Sequence, residues 1–316
     1  MPAIVADPLL VPRLEVPAGG VARPLLKVVT APTTVEGEGF QVRRPFPNVD
    51  LDLADPFLLL DHLGAVEYAP GEAKGAPDHP HRGFETVTYI IDGAVEHKDS
   101  TGGGGLIADG ATQWMTAGAG IVHSELPPAE LVAKGGLFHG VQLWVNLPRS
   151  QKWTPPRYQD IGPGAVSLLS SADGGALVRL IAGDLGGHSG PGNTRTPITY
   201  AHSTLSPGAR LDAPWRPDFN AMVYVLAGHG AVGPAATPIG EGQLAVLGFG
   251  DRVVVEADPR QPTSTPTMEV LLLGGRPILE PVVRYGPFVM NSRHEILEAI
   301  ADYQSGRMGS IPASRL

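Results

Sequence analysis

Short runs of Val, Ile, Leu, Tyr and Phe recur along the 316 residues, each closed by Gly, Pro or a polar turn pair. DPFLLLDHLG (55–64), HRGFETVTYIIDG (81–93), GLFHGVQLWVNLP (136–148) and RPDFNAMVYVLAG (216–228) are examples. Gly and Pro break helices and build turns, so this punctuation predicts a turn-rich all-β protein. Asp92-Gly93 reads as a hairpin turn. One segment departs from the rule. Ser292 and Glu295 form an S-x-x-E capping box, and Ile296, Ile300 and Tyr303 recur on one face before Gly306. That spacing predicts a short C-terminal helix whose apolar stripe packs against another part of the protein.

The pattern is written twice. At an offset of 135 residues, Phe84, Tyr89, Ile91 and Gly93 fall on Phe219, Tyr224, Leu226 and Gly228, and GATQWMTAGAG (110–120) is echoed by GQLAVLGFGD (242–251). Each copy reads strand, tight turn, strand, Gly-rich turn, strand, which predicts two small β-sandwiches or barrels in tandem. The boundary is expected in the polar, Pro-rich segment PRSQKWTPPRYQD (148–160), giving domains 1–150 and 151–316, with Trp153 and Arg157 as linker anchors.

Composition narrows the function. A formal charge of −9 and the lack of a basic run disfavour nucleic acid and anionic membranes as partners. Cys is absent, which removes disulfides, thiolate ligands and Cys nucleophiles. The N-terminal stretch shows no secretory signal and no apolar run reaches about 18 residues, so a cytoplasmic protein is expected, as a monomer.

The candidate chemistry lies in His79 and His81 (H-x-H) and in His123 and Glu125 (H-x-E). Strand side chains alternate, so residues two apart share a face about 7 Å apart. Two such strands can present three imidazoles and one carboxylate to a shared interior, a four-ligand site for a divalent metal. An isolated His in a strand is ordinarily a surface or satisfied core residue; here the same parity occurs twice beside Gly-rich turns. Glu85 shares parity with His79 and His81 and reads as ligand, hydrogen-bond acceptor to a ligand, catalytic base or plain strand carboxylate. The remaining seven His residues read as structural or exposed. In the second copy the offset replaces His79 by Pro214, His81 by Arg216 and Glu85 by Asn220, so that copy is expected to keep the scaffold without metal.

These motifs resemble the pirin family, a branch of the cupin superfamily with two tandem cupin (double-stranded β-helix, jelly-roll) domains. The first cupin motif, roughly G(x)5HxH(x)3-4E(x)6G, is met from His79 to Gly93, with Gly75 approximating its opening glycine; GAGIVHSE (118–125) is similar to the second. DPFLLLDH, QLWVNLP, PPRYQD and GPFVMNS also look pirin-like. The resemblance implies His79, His81, His123 and Glu125 as metal ligands and Fe(II) as the usual metal, with Mn, Co, Ni or Zn compatible with the donor set. It further implies a quercetin 2,3-dioxygenase-like activity on a flavonol with O2, or a non-catalytic iron-binding regulatory or redox-sensing role with a protein partner. In the first case Glu125 or Glu85 would take the substrate proton. Phe84, Trp114, Met115, Phe138 and Trp144 are candidate pocket liners, and Asp61, Asp78 and Gln142 candidate partners for the imidazoles.

Overall fold

A computed structural model describes residues 2, 4–16, 18–46, 49–262 and 265–311. Each half of the chain holds one seven-stranded and one four-stranded sheet. In the first half the large sheet runs in the order 157–161, 112–116, 84–92, 136–146, 57–68, 40–43, 33–36, and the small sheet 76–81, 121–126, 94–99, 104–108. The second half repeats both orders as 25–30, 243–247, 221–227, 268–275, 198–205, 176–182, 167–170 and 210–214, 252–257, 229–232, 237–240. The internal repeat read from the apolar runs is therefore a repeat of topology.

The edge strands are exchanged between halves. Leu25–Thr30 pairs antiparallel with Gln243–Leu247, and Arg157–Ile161 pairs antiparallel with Thr112–Thr116. The second large sheet is thus closed by a strand from the first half and the first by a strand that begins within the 148–160 segment, so an otherwise bare edge of each is covered.

Asp92-Gly93 does not close a hairpin. Phe84–Asp92 lies in the large sheet and Ala94–Asp99 in the small one, so the chain turns a corner between sheets. Gly93 sits at φ 93°, and a Cβ there would lie 2.6 Å from the Leu137 carbonyl oxygen; Gly228, φ 78°, occupies the equivalent corner. Only glycine takes such a corner without strain.

The outer faces of the two large sheets pack on each other. Val87, Tyr89, Trp114, Val141 and Leu143 meet Tyr200, Met222, Tyr224, Leu244 and Leu271 in one buried core. The interior of the second sandwich is filled by apolar side chains, among them Leu211, Phe219, Val223, Val253 and Leu272. The helix Arg293–Gln304 carries the expected cap: the Ser292 hydroxyl accepts from the Glu295 amide, and the Glu295 carboxylate accepts from the Asn291 amide. It packs Ile296 and Ala299 against Val122 and Phe288, so the last segment of the chain returns to the first sandwich. Ile300 packs beside them half-buried, and Tyr303, 40% exposed, meets the Phe288 ring at 6.4 Å. Among the described residues, no helix is long and apolar enough to cross a membrane.

Candidate metal centre

Ile121–Leu126 pairs with Ala76–His81 and sets His123 opposite His79. Alternation then puts His81 on the same face, and the three rings close into a cluster with centroids 4.3 to 4.9 Å apart. One nitrogen from each lies within 4.8 Å of the others, and among the described residues no other three His, Asp or Glu side chains converge in this way.

Each ring has one nitrogen engaged. His79 Nδ1 lies 2.7 Å from the Pro77 carbonyl oxygen, His81 Nδ1 3.4 Å from the Pro287 carbonyl oxygen, and His123 Nδ1 3.4 Å from His97 Nδ1. A carbonyl accepts only from a protonated ring nitrogen, so Nδ1 of His79 and of His81 holds a hydrogen, and Nε2 is the atom left to offer a lone pair to a metal. The Nε2 atoms of His81 and His123 are buried without a hydrogen-bond partner. Burial, followed by the neighbouring imidazoles, holds both rings well below the ordinary histidine pKa. Rings with converging nitrogens, two of them buried and unpartnered, fit a borderline divalent metal, each ring fixed from behind.

Glu125 stands apart from the trio. The ladder slips between His123 and Glu125, so that Glu125 pairs with Ala76. Its Oε1 accepts from the Thr88 hydroxyl and its Oε2 from the Gln142 amide, both at 2.7 Å. The Gln142 oxygen in turn accepts from Trp144 Nε1 at 3.1 Å. The carboxylate lines the same cavity as His79 and His81 without joining their cluster.

Glu85 is on the wrong side. The parity that links it to His79 and His81 requires one continuous strand, and the strand breaks at Gly83, φ 92°, where a Cβ would lie 2.0 Å from the Val289 carbonyl oxygen. Alternation restarts at Phe84. Thr88 consequently faces the cavity, while Glu85 shares the face of Val87 and Tyr89 toward the other half. Glu85 is fully buried, accepts from the Thr116 hydroxyl at 2.6 Å, and burial raises its pKa. It is outside the cavity, so neither a ligand nor a base for a group bound there.

The cavity over the imidazoles has a volume of about 600 Å3. Phe138 and Trp144 line it, as the sequence suggested. Phe84 stacks behind Trp144 with centroids 4.3 Å apart, Trp114 lies in the core between the halves, and Met115 packs with Ala117 and Ile121. Of the three expected imidazole partners, Asp61 is engaged by Arg44 at 2.6 and 2.5 Å, Gln142 holds Glu125, and Asp78 lines the cavity. Backbone carbonyls and His97 orient the rings instead. His97, Thr88 and the Pro287 carbonyl were missed from the sequence; Thr88 had a signal, since it is polar where the second copy has Val223. The linker anchors are ordinary: Arg82 stacks 4.8 Å over Trp153, and Arg157 donates to the Asn193 carbonyl.

The same geometry explains the second half. Thr88 pairs with Gln142 across the first large sheet, and at the corresponding rungs Val223 pairs with Leu272. With those two apolar, the position that holds Glu125 has no donors, and the interior closes on itself.

The Pirin family model matches residues 39–145, and the model of the pirin C-terminal cupin domain matches residues 200–309. The chain belongs to the pirin family. Its two sandwiches are accordingly cupin domains, in agreement with the strand orders above. This pirin is 41% identical over 288 residues to a pirin-like protein of Solanum lycopersicum, covering 91% of this chain and 93% of that one. It is 40% identical to the pirin of Homo sapiens over 278 residues, 87% and 90% of the two chains. A crystal structure of quercetin 2,3-dioxygenase from Acinetobacter baumannii superposes with a TM-score of 0.85 at 37% identity, covering 92% of this chain and 99% of that one. A bacterial pirin from Escherichia coli in complex with nickel(II), at 18% identity and a TM-score of 0.57, shares the fold over 79% of this chain.

Proposed function

We propose that this pirin is a metal-dependent dioxygenase that opens the ring of a flavonol-like substrate with O2. The observation that carries the proposal is the cluster of His79, His81 and His123, two of whose rings line a cavity walled by Phe40, Val42, Leu59, Ile90, Phe138 and Trp144. A planar bicyclic or tricyclic ligand fits about 600 Å3 of such space. The solved relative named quercetin 2,3-dioxygenase supports the same reaction class.

His79, His81 and His123 would hold the metal through Nε2, and Fe(II) is the metal proposed. When bound, a divalent metal supplies a Lewis acid that lowers the pKa of a hydroxyl coordinated to it. The protein supplies the rest. Glu125 receives the hydroxyl proton: each carboxylate oxygen has a lone pair beyond the bond it accepts, so Thr88 and Gln142 hold the group in place as it does so. The same lone pair is what a fourth ligand would offer. The apolar walls orient the rings of the substrate and keep water off the ionised oxygen.

The test is anaerobic loading with Fe(II), then addition of air-saturated buffer and quercetin, with oxygen uptake and carbon monoxide release followed together. Coupled consumption of oxygen and release of carbon monoxide is expected. No oxygen uptake with Fe, Mn, Co or Ni would overturn the proposal and favour a non-catalytic metal protein.

A further inference from the structure

We infer that Arg284 makes the cavity selective for aromatic ligands that carry an anionic oxygen beside the ring system. This inference rests on the cavity's being the substrate site and names the class of substrate that it prefers.

Three cationic side chains line the cavity: Arg44, Lys74 and Arg284. Arg44 is spent. Its guanidinium clasps the Asp61 carboxylate through two nitrogens, and its third reaches Glu36 at 2.7 Å. Arg284 is different. Its guanidinium carbon lies 4.9 Å over the Trp144 ring, and it donates one long hydrogen bond, 3.4 Å, to the Leu58 carbonyl oxygen. Among the described residues no carboxylate lies within ion-pair distance of it. Asp61 and Glu36, the carboxylates whose charges act on Arg284, are both engaged by Arg44, whose own charge repels it.

The placement is fixed from two sides. Trp144 is itself wedged between Phe84 and the guanidinium and meets His81 edge-on at 5.1 Å. The strand Val283–Tyr285 that carries Arg284 is paired with Phe288–Met290, and the turn between them supplies the Pro287 carbonyl behind His81. The charge of Arg284 is close enough to act on the His81 ring. A guanidinium held over an indole by its carbon still has N–H groups beyond the one given to Leu58, and these can donate to a carboxylate. Arg284 is solvent-exposed at the cavity wall, so a ligand whose rings fill the apolar part of the cavity would meet a cation without a carboxylate partner, matched to a carboxylate or an ionised enol.

The probes are 3-hydroxy-2-naphthoate and 3-hydroxy-2-naphthamide, which share ring, hydroxyl and size and differ in charge. Binding to the full-length chain is measured by calorimetry and by Trp fluorescence, with and without a chelator, so that the readout does not depend on turnover. The naphthoate should bind the wild type tighter than the naphthamide. Arg284→Gln should weaken the naphthoate about tenfold or more and the naphthamide less than about twofold, and Arg284→Lys should recover part of the loss. Equal weakening of both ligands would reduce Arg284 to a packing residue and overturn the inference while the proposed reaction stood. Tighter binding of both by Arg284→Gln would make it a cover over Trp144, with the same consequence. If neither probe binds the wild type, the substrate cavity itself is wrong and both readings fall.

Discussion

His81 is the side chain on which the centre turns, because its Nδ1 is tied to the C-terminal segment and its unpartnered Nε2 faces the other two rings. His81→Ala should abolish metal uptake, read as metal per chain by elemental analysis, while the far-ultraviolet strand signal persists. Retention of full stoichiometry would contradict the assignment. Thr88 separates binding from chemistry. Thr88→Val installs the residue of the inert repeat, removes one donor from Glu125 and changes volume little. The expected result is unchanged metal content with turnover lowered about tenfold or more. Loss of metal together with turnover would instead make the Thr88–Glu125 pair part of the ligand set.

At the scale of elements, Lys152 joins three segments around the site. Its ammonium is almost wholly buried and donates to the Gly83 carbonyl at 2.7 Å, the Asn146 side-chain oxygen at 2.7 Å and the Val289 carbonyl at 3.0 Å. Burial pushes its pKa down to about 8, yet three acceptors call for three N–H donors, so the charged form is the one that fits. Lys152→Met leaves those acceptors bare. It should cost about 3 kcal/mol or more in urea unfolding, at roughly 1–3 kcal/mol per unsatisfied group, and should release metal at lower chelator concentration. A variant as stable as the wild type would remove Lys152 from the framework. This clamp also marks where sequence reading stopped. His79, His81 and His123 were legible because strand alternation within one strand is a local rule, and the repeat was legible because the apolar runs and glycine corners recur at one offset. Glu85 was misread because Gly83 resets the alternation, a positive φ that a one-dimensional parity count does not contain. The edge-strand exchange and the return of residues 283–290 to the first cupin are long-range pairings, and no local pattern in LLKVVT or RYQDI names its partner. Lys152 fell in a segment whose polar, Pro-rich composition reads as linker.

The whole molecule is held together by a polar network inside the apolar interface of the two cupins. Tyr89 meets His202 Nδ1 at 2.9 Å, His202 Nε2 meets Glu269 at 3.0 Å, and across the same interface His62 Nδ1 lies 3.2 Å from the Tyr224 hydroxyl. His62 Nε2 and His139 Nε2 are 2.9 Å apart, so one must donate and the other accept, which two protonated rings could not do. Burial, then the repulsion of His139, Arg43 and His202, keeps His62 well below the usual range, and burial with the repulsion of His202 brings His139 down to about 4. In the unfolded chain both would titrate near the ordinary value of about 6.5. Between about 6.5 and 4 the unfolded state thus binds more protons than the folded one. The unfolding free energy therefore declines as pH falls through that window, by up to about 1.4 kcal/mol per pH unit for each imidazole, and is fully present above it. His139→Gln can keep a hydrogen bond to His62 while removing one titrating ring. Urea unfolding of both proteins, metal-free, from pH 7.5 to 4.5 isolates the effect, because the metal-site histidines titrate alike in each. The variant should show the shallower loss of stability, converging toward the wild type as the pH drops. Parallel curves would mean that the interface does not depend on neutral histidines and that apolar packing alone joins the two cupins.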